Sequence, residues 1–88
     1  MSERTVVVAS SVGLHARPAR LFVQTAAAQP AKVTIAKPDG EAVDAASILS
    51  ILALDAKGGD RVVLRAEGEG AEEALDALEA FLKIDHDA

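Results

Sequence analysis

The sequence predicts an α+β fold, an open-faced β-sandwich whose antiparallel sheet is wet on one side and covered by helices on the other. Three observations predict it. Short stretches of alternating character recur along the chain, each with one apolar face and one rich in lysine, arginine, threonine and glutamate. Segments of helical periodicity separate them, giving the order β-α-β-β-α-β-α. The 88 residues are enough for one modest core that folds without staples.

The elements follow in turn. Thr5-Val6-Val7-Val8-Ala9 is a β-branched run and reads as the first strand. Residues 16–28 place Ala19, Phe22, Val23 and Ala26 at i, i+3, i+4 and i+7, one face of a helix. Pro18 falls in its first turn, where a missing N–H costs nothing, and Gln29-Pro30 stops it. Lys32-Val33-Thr34-Ile35-Ala36 and Glu41-Ala42-Val43-Asp44 both alternate and predict a hairpin. Its turn is Lys37-Pro38-Asp39-Gly40, with proline preset for the bend and glycine free for positive φ.

Residues 47–54 are apolar nearly all round after Ser47, and Lys57-Gly58-Gly59-Asp60 ends this second helix. Residues 61–67 alternate again, with Val62, Leu64 and Ala66 on the apolar face. Ala71, Ala74, Leu75, Leu78 and Leu82 mark a closing helix, with Glu72 and Glu73 in its first turn and Lys83 in its last, as the dipole favours. Residues 85–88 form a polar tail.

Composition excludes several functions. Half the residues are hydrophobic, but Phe22 and Phe81 are the only rings available to the core. The absence of cysteine removes disulfide and thiolate chemistry and the common zinc frameworks. A net charge of −5 without a basic stripe argues against nucleic acid. No secretory or membrane-spanning run stands out, so the chain reads as cytosolic, with no membrane insertion.

The segment that carries chemistry is Gly13-Leu14-His15-Ala16-Arg17-Pro18-Ala19. Gly13 permits an unusual turn after the strand. His15 then falls at or beside the N-cap of the first helix, where the N–H groups of Ala16, Arg17 and Ala19 lack helical partners. Such ends bind anions, and the guanidinium of Arg17 matches phosphate oxygens. A nucleophilic imidazole beside an anion cradle suits phosphoryl transfer. Metal binding fails on ligand count, and no G-x-S-x-G elbow, Walker loop or Rossmann fingerprint is present. His86 lies in the charged tail with no pattern around it.

Two further surfaces stand out. Arg17, Arg20, Leu21 and Gln24 lie opposite the core stripe of the first helix. On the second helix Ile51 and Leu54 face the core, while Ile48, Leu49 and Leu52 share another side. These three are either buried or, as we expect, a small exposed apolar patch that marks a protein contact. Ser47 is an N-cap by position, and capping alone explains it.

With these motifs the chain resembles HPr, the histidine-containing phosphocarrier family of the bacterial phosphotransferase system for sugar transport. The resemblance spans residues 1–88 as one HPr domain, and Ala46-Ser47-Ile48-Leu49 stands in the place of the family's regulatory-serine segment. It implies a sheet in order 1-4-2-3 under three helices. It also implies a phosphoprotein and carrier rather than an enzyme, cytoplasmic and monomeric, without a cofactor. His15 would take a phosphoryl group on Nδ1 (a pros-phosphohistidine) from enzyme I and pass it to the IIA component of a permease, helped by Arg17. Arg20, Leu21, Gln24, Ile48, Leu49 and Leu52 would form the docking face, and a regulatory kinase would act on Ser47. Val12 stands where many members have asparagine or serine, so no side chain there can hydrogen-bond the imidazole. Gln24, Ala27, Ala46 and Ser50 stand where lysines occur in the family, which makes the partner face less basic and more apolar. The alternative is a regulatory adaptor of the same fold in a nitrogen- or metabolism-linked relay.

Overall fold

A computed structural model describes residues 2–10 and 13–84 of the chain; Val12 and His86 lie outside them. The order is β1 (Ser2–Val7), α1 (Ala16–Ala27), β2 (Val33–Ala36), β3 (Val43–Asp44), α2 (Ile48–Leu54), β4 (Arg61–Ala66) and α3 (Ala71–Leu82). The four strands form one antiparallel sheet in the order β1-β4-β2-β3. The predicted fold class and strand order are therefore those of the molecule.

Element boundaries shift for local reasons. β1 begins at Ser2 rather than Thr5 because β4 offers it six partners, from Ser2 opposite Ala66 to Val7 opposite Arg61. The hairpin is shorter than the alternation suggested. Only Thr34 with Asp44 and Ile35 with Val43 pair across it. Gly40 donates its N–H to Lys37 at 2.9 Å, closing the expected turn, but neither Asp39 nor Gly40 adopts positive φ. With Pro38 and Asp39 as central residues this is a type I turn, which needs no left-handed residue. Lys83 caps the C-terminus of α3 instead of lying within its last turn, and its ammonium pairs with Glu79 at 3.0 Å.

The core lies between the sheet and the helices. Val62, Leu64 and Ala66 of β4, Val33 and Ile35 of β2 and Val6 of β1 are buried. Against them pack Phe22 of α1, Ile51 of α2, and Leu75, Leu78 and Leu82 of α3. Burying each of these large side chains contributes about 1.5–3 kcal/mol. Phe22 meets Phe81 edge to face, with ring centroids 5.7 Å apart and planes at 64°. No helix among the described residues is long and apolar enough to cross a membrane.

Arg4 fastens β1 to α3. Its guanidinium bonds Asp76, Glu72 at 2.8 Å and Glu79 at 3.0 Å. The hydroxyl of Ser2 and then Arg4 hold the Glu72 carboxyl below its ordinary range. Lys83 and then Arg4 do the same for Glu79.

Candidate functional site

The site begins with a glycine that nothing else could replace. Gly13 has φ 72°, and a Cβ there would lie 2.2 Å from the carbonyl oxygen of Ala56. The backbone therefore nests directly on the segment that follows α2. Leu14 donates its N–H to that same oxygen at 2.8 Å, and its side chain is buried. These contacts fix the path of the chain into His15.

His15 is the N-cap of α1, with φ −125°, ψ 156° and no side-chain capping bond. The next residue, Ala16, has φ 49°. This left-handed conformation costs a residue with a Cβ about 1–2 kcal/mol. The sharp bend starts the helix immediately beside the imidazole. Ala19 donates to the carbonyl of His15 at 3.4 Å, so it is not one of the free donors the sequence suggested. Among the described residues the N–H groups of Ala16 and Arg17 have no acceptor. The side chain of Arg17 is exposed and makes no ion pair among them; the same holds for Arg20. Gln24 is exposed and Leu21 half-buried beside them.

The sequence surrounds His15 with cations and a positive helix end. The structure adds a carboxylate. His15 Nε2 lies 2.9 Å from Oδ1 of Asp55, with both side chains partly exposed. Oδ2 of Asp55 faces the ammonium of Lys57 at 3.8 Å. Asp55 ends α2 in the left-handed region (φ 53°, ψ 45°), three residues before the first glycine of the predicted stop. Aspartate tolerates this conformation better than most residues, because its short polar side chain can bond locally. Sequence reasoning missed Asp55. Its only local signal is a helix stop without glycine, and nothing local connects it with a histidine 40 positions away.

α2 also carries the apolar surface. Ile51 is buried, whereas Ile48, Leu49 and Leu52 are 39%, 77% and 41% exposed. Of the two readings the sequence allowed, exposure is the one observed. Ser47 caps this helix as expected, accepting from the N–H of Ser50 at 3.4 Å. No three His, Asp or Glu side chains gather to hold a metal ion among the described residues.

Comparison with known proteins gives this geometry a context. Residues 2–83 match the sequence model of a family described as the PTS HPr component phosphorylation site. A phosphocarrier protein HPr of Streptomyces coelicolor is 54% identical over 78 residues, 89% of this chain and 84% of that one. The HPr-like protein Crh of Bacillus subtilis is 41% identical over 94% of this chain and 96% of its own. The crystal structure of a phosphocarrier protein HPr from Bacillus anthracis superposes with a TM-score of 0.87 at 43% identity, covering 92% of this chain and 95% of that one.

Proposed function

The chain belongs to the HPr family of the phosphotransferase system, and on that premise we propose that it relays a phosphoryl group through a phosphohistidine at His15. The donor is phosphorylated enzyme I and the acceptor a IIA component. The observation that carries this reading is the N-cap position of His15, half-exposed, beside the N–H groups of Ala16 and Arg17, which have no acceptor among the described residues. Among the described residues, Nδ1 of the ring makes no hydrogen bond, while Nε2 is occupied by Asp55. A nitrogen lone pair thus stands next to donors able to hold the oxygens of a phosphoryl group. The guanidinium of Arg17 adds a planar fork for the same oxygens.

Helix-end stabilisation of an anion contributes about 0.3–2 kcal/mol. That orients a phosphoryl group without trapping it, as a carrier requires. The exposed Ile48, Leu49 and Leu52, with Arg17, Arg20, Leu21 and Gln24, form the surface on which both partners dock. The regulatory-adaptor reading has support in the Crh relative, but the HPr relative is the more similar, at 54% against 41% identity.

Incubation with phosphoenolpyruvate and enzyme I, followed by intact mass measurement, tests the relay. One phosphate should be gained and then lost in acid, as phosphoramidates are. His15→Ala should gain none. An acid-stable adduct, or full labelling of that variant, would overturn the mechanism.

A further inference from the structure

We infer that Asp55 is a positioning residue for the transfer: its carboxylate accepts the Nε2–H of His15, fixes the ring and its tautomer, and balances the charge the ring acquires. The inference rests on the phosphohistidine reading and adds to it a residue from another element. A carboxylate can only accept, so a hydrogen bond across the 2.9 Å between Nε2 and Oδ1 puts the proton on Nε2. Nδ1 of the neutral ring then holds the lone pair. One hydrogen bond decides which nitrogen is the nucleophile.

The fold builds this contact. Gly13 and Leu14, which lead into His15, are seated on Ala56, the residue after Asp55. The charged group on the other side of Asp55 is Lys57, 3.8 Å from Oδ2, which leaves Oδ1 to the imidazole. Asp55 holds a left-handed conformation in which glycine would be unstrained. A residue that serves only to end the helix is thus better replaced by glycine; the carboxylate instead faces the ring at 2.9 Å and, more distantly, Lys57 at 3.8 Å.

The step balances simply. The Nδ1 lone pair forms the new N–P bond as the bond from phosphorus to the donor's own carrying atom breaks, and that bonding pair leaves with the donor. Nε2 keeps its proton. The His15 ring becomes formally cationic beside a dianionic phosphoryl group, and the Asp55 carboxylate lies against the nitrogen that shares this charge. In the reverse direction, and on transfer to an acceptor, the ring returns to the neutral Nε2–H form with its lone pair on Nδ1 again.

Asp55→Gly and Asp55→Asn separate this role from helix capping. Asp55→Gly removes the carboxylate while relieving the backbone, so its melting temperature should equal or exceed that of the parent. Its single-turnover acceptance of phosphate from enzyme I should nevertheless fall about 10- to 100-fold, as loss of a charge-assisted hydrogen bond predicts. Asp55→Asn keeps an acceptor oxygen without the charge and should recover part of the rate. In ¹⁵N-edited spectra of the unphosphorylated protein, the His15 Nε2–H resonance should be protected from exchange in the parent and lost in Asp55→Gly. Parental transfer rates in Asp55→Gly, or a neutral ring protonated on Nδ1 in the parent, overturn the inference and leave the relay standing. A parent protein that takes up no phosphate removes both.

Discussion

The two ends of the helical layer use their charges in opposite ways. Where α3 lies on β1, Arg4 is surrounded by Glu72, Asp76 and Glu79, with Lys83 closing on Glu79 as well. Where α1 meets α2, Arg17 and Arg20 stand without ion-pair partners among the described residues, and three large apolar side chains face solvent. The first region satisfies itself. The second is left incomplete, and the incompleteness is what another protein can fill. Among the described residues its internal pairs meet at Asp55, which faces His15 at 2.9 Å and Lys57 at 3.8 Å.

The largest effect that would test this contrast is on Arg17. Its guanidinium should matter most as charge transfers, so Arg17→Ala should slow single-turnover transfer about 100-fold and weaken docking much less. Arg17→Lys keeps the charge, loses the fork, and should recover activity only in part. Unchanged transfer in Arg17→Ala would place the guanidinium outside the chemistry.

Next in size are Ile48→Asp and Leu52→Asp. Each puts a carboxylate into an apolar contact and should weaken binding to enzyme I about 30-fold. Because both side chains are already exposed, the melting temperature should hardly move. A large drop in melting temperature would move them from the docking face to the core.

The ionic end should respond to acid. Glu72 and Glu79 titrate below their ordinary value of 4.5 in the folded protein. Their contribution is therefore complete above that pH and is lost as pH falls through the lowered values. Arg4→Ala should lower stability at neutral pH and make the acid limb of the stability curve shallower. Parallel curves for the two proteins would show that Arg4 does not stabilise these carboxylates.

The smallest effect concerns Ser47. Its capping bond is long at 3.4 Å, so Ser47→Ala should cost about 0.5–1 kcal/mol in chemical denaturation. Ser47→Asp should fold well, since aspartate caps and suits the helix N-terminus, yet transfer slowly through charge beside Ile48. Transfer at the parental rate in Ser47→Asp would reduce this serine to a cap.

What the sequence made legible follows from the range of the interactions involved. The alternation at Val62, Leu64 and Ala66 and the spacing of Leu75, Leu78 and Leu82 are local signals, and each element they imply is present. The place of His15 and Arg17 at the start of α1 was legible because a helix N-terminus is written in consecutive residues. The extension of β1 to Ser2 depended on a partner strand about 60 positions away, and the reach of Arg4 on a helix farther still. Asp55 was hidden for the same reason, compounded by a left-handed helix end that sequence habit assigns to glycine.

The seating of Gly13 on Ala56 has a kinetic consequence. With no room for even a methyl group between them, the approach to His15 and the end of α2 cannot slide apart without losing the Leu14 hydrogen bond. α2 is seven residues long, about 10 Å from end to end, so its apolar side and its Asp55 terminus belong to one short rigid rod. On the proposed relay, a partner that seats on Ile48, Leu49 and Leu52 sets its distance to the imidazole by the same motion. The encounter would then need no second search for the ring, and a weak, short-lived complex would be long enough for a phosphoryl group to cross.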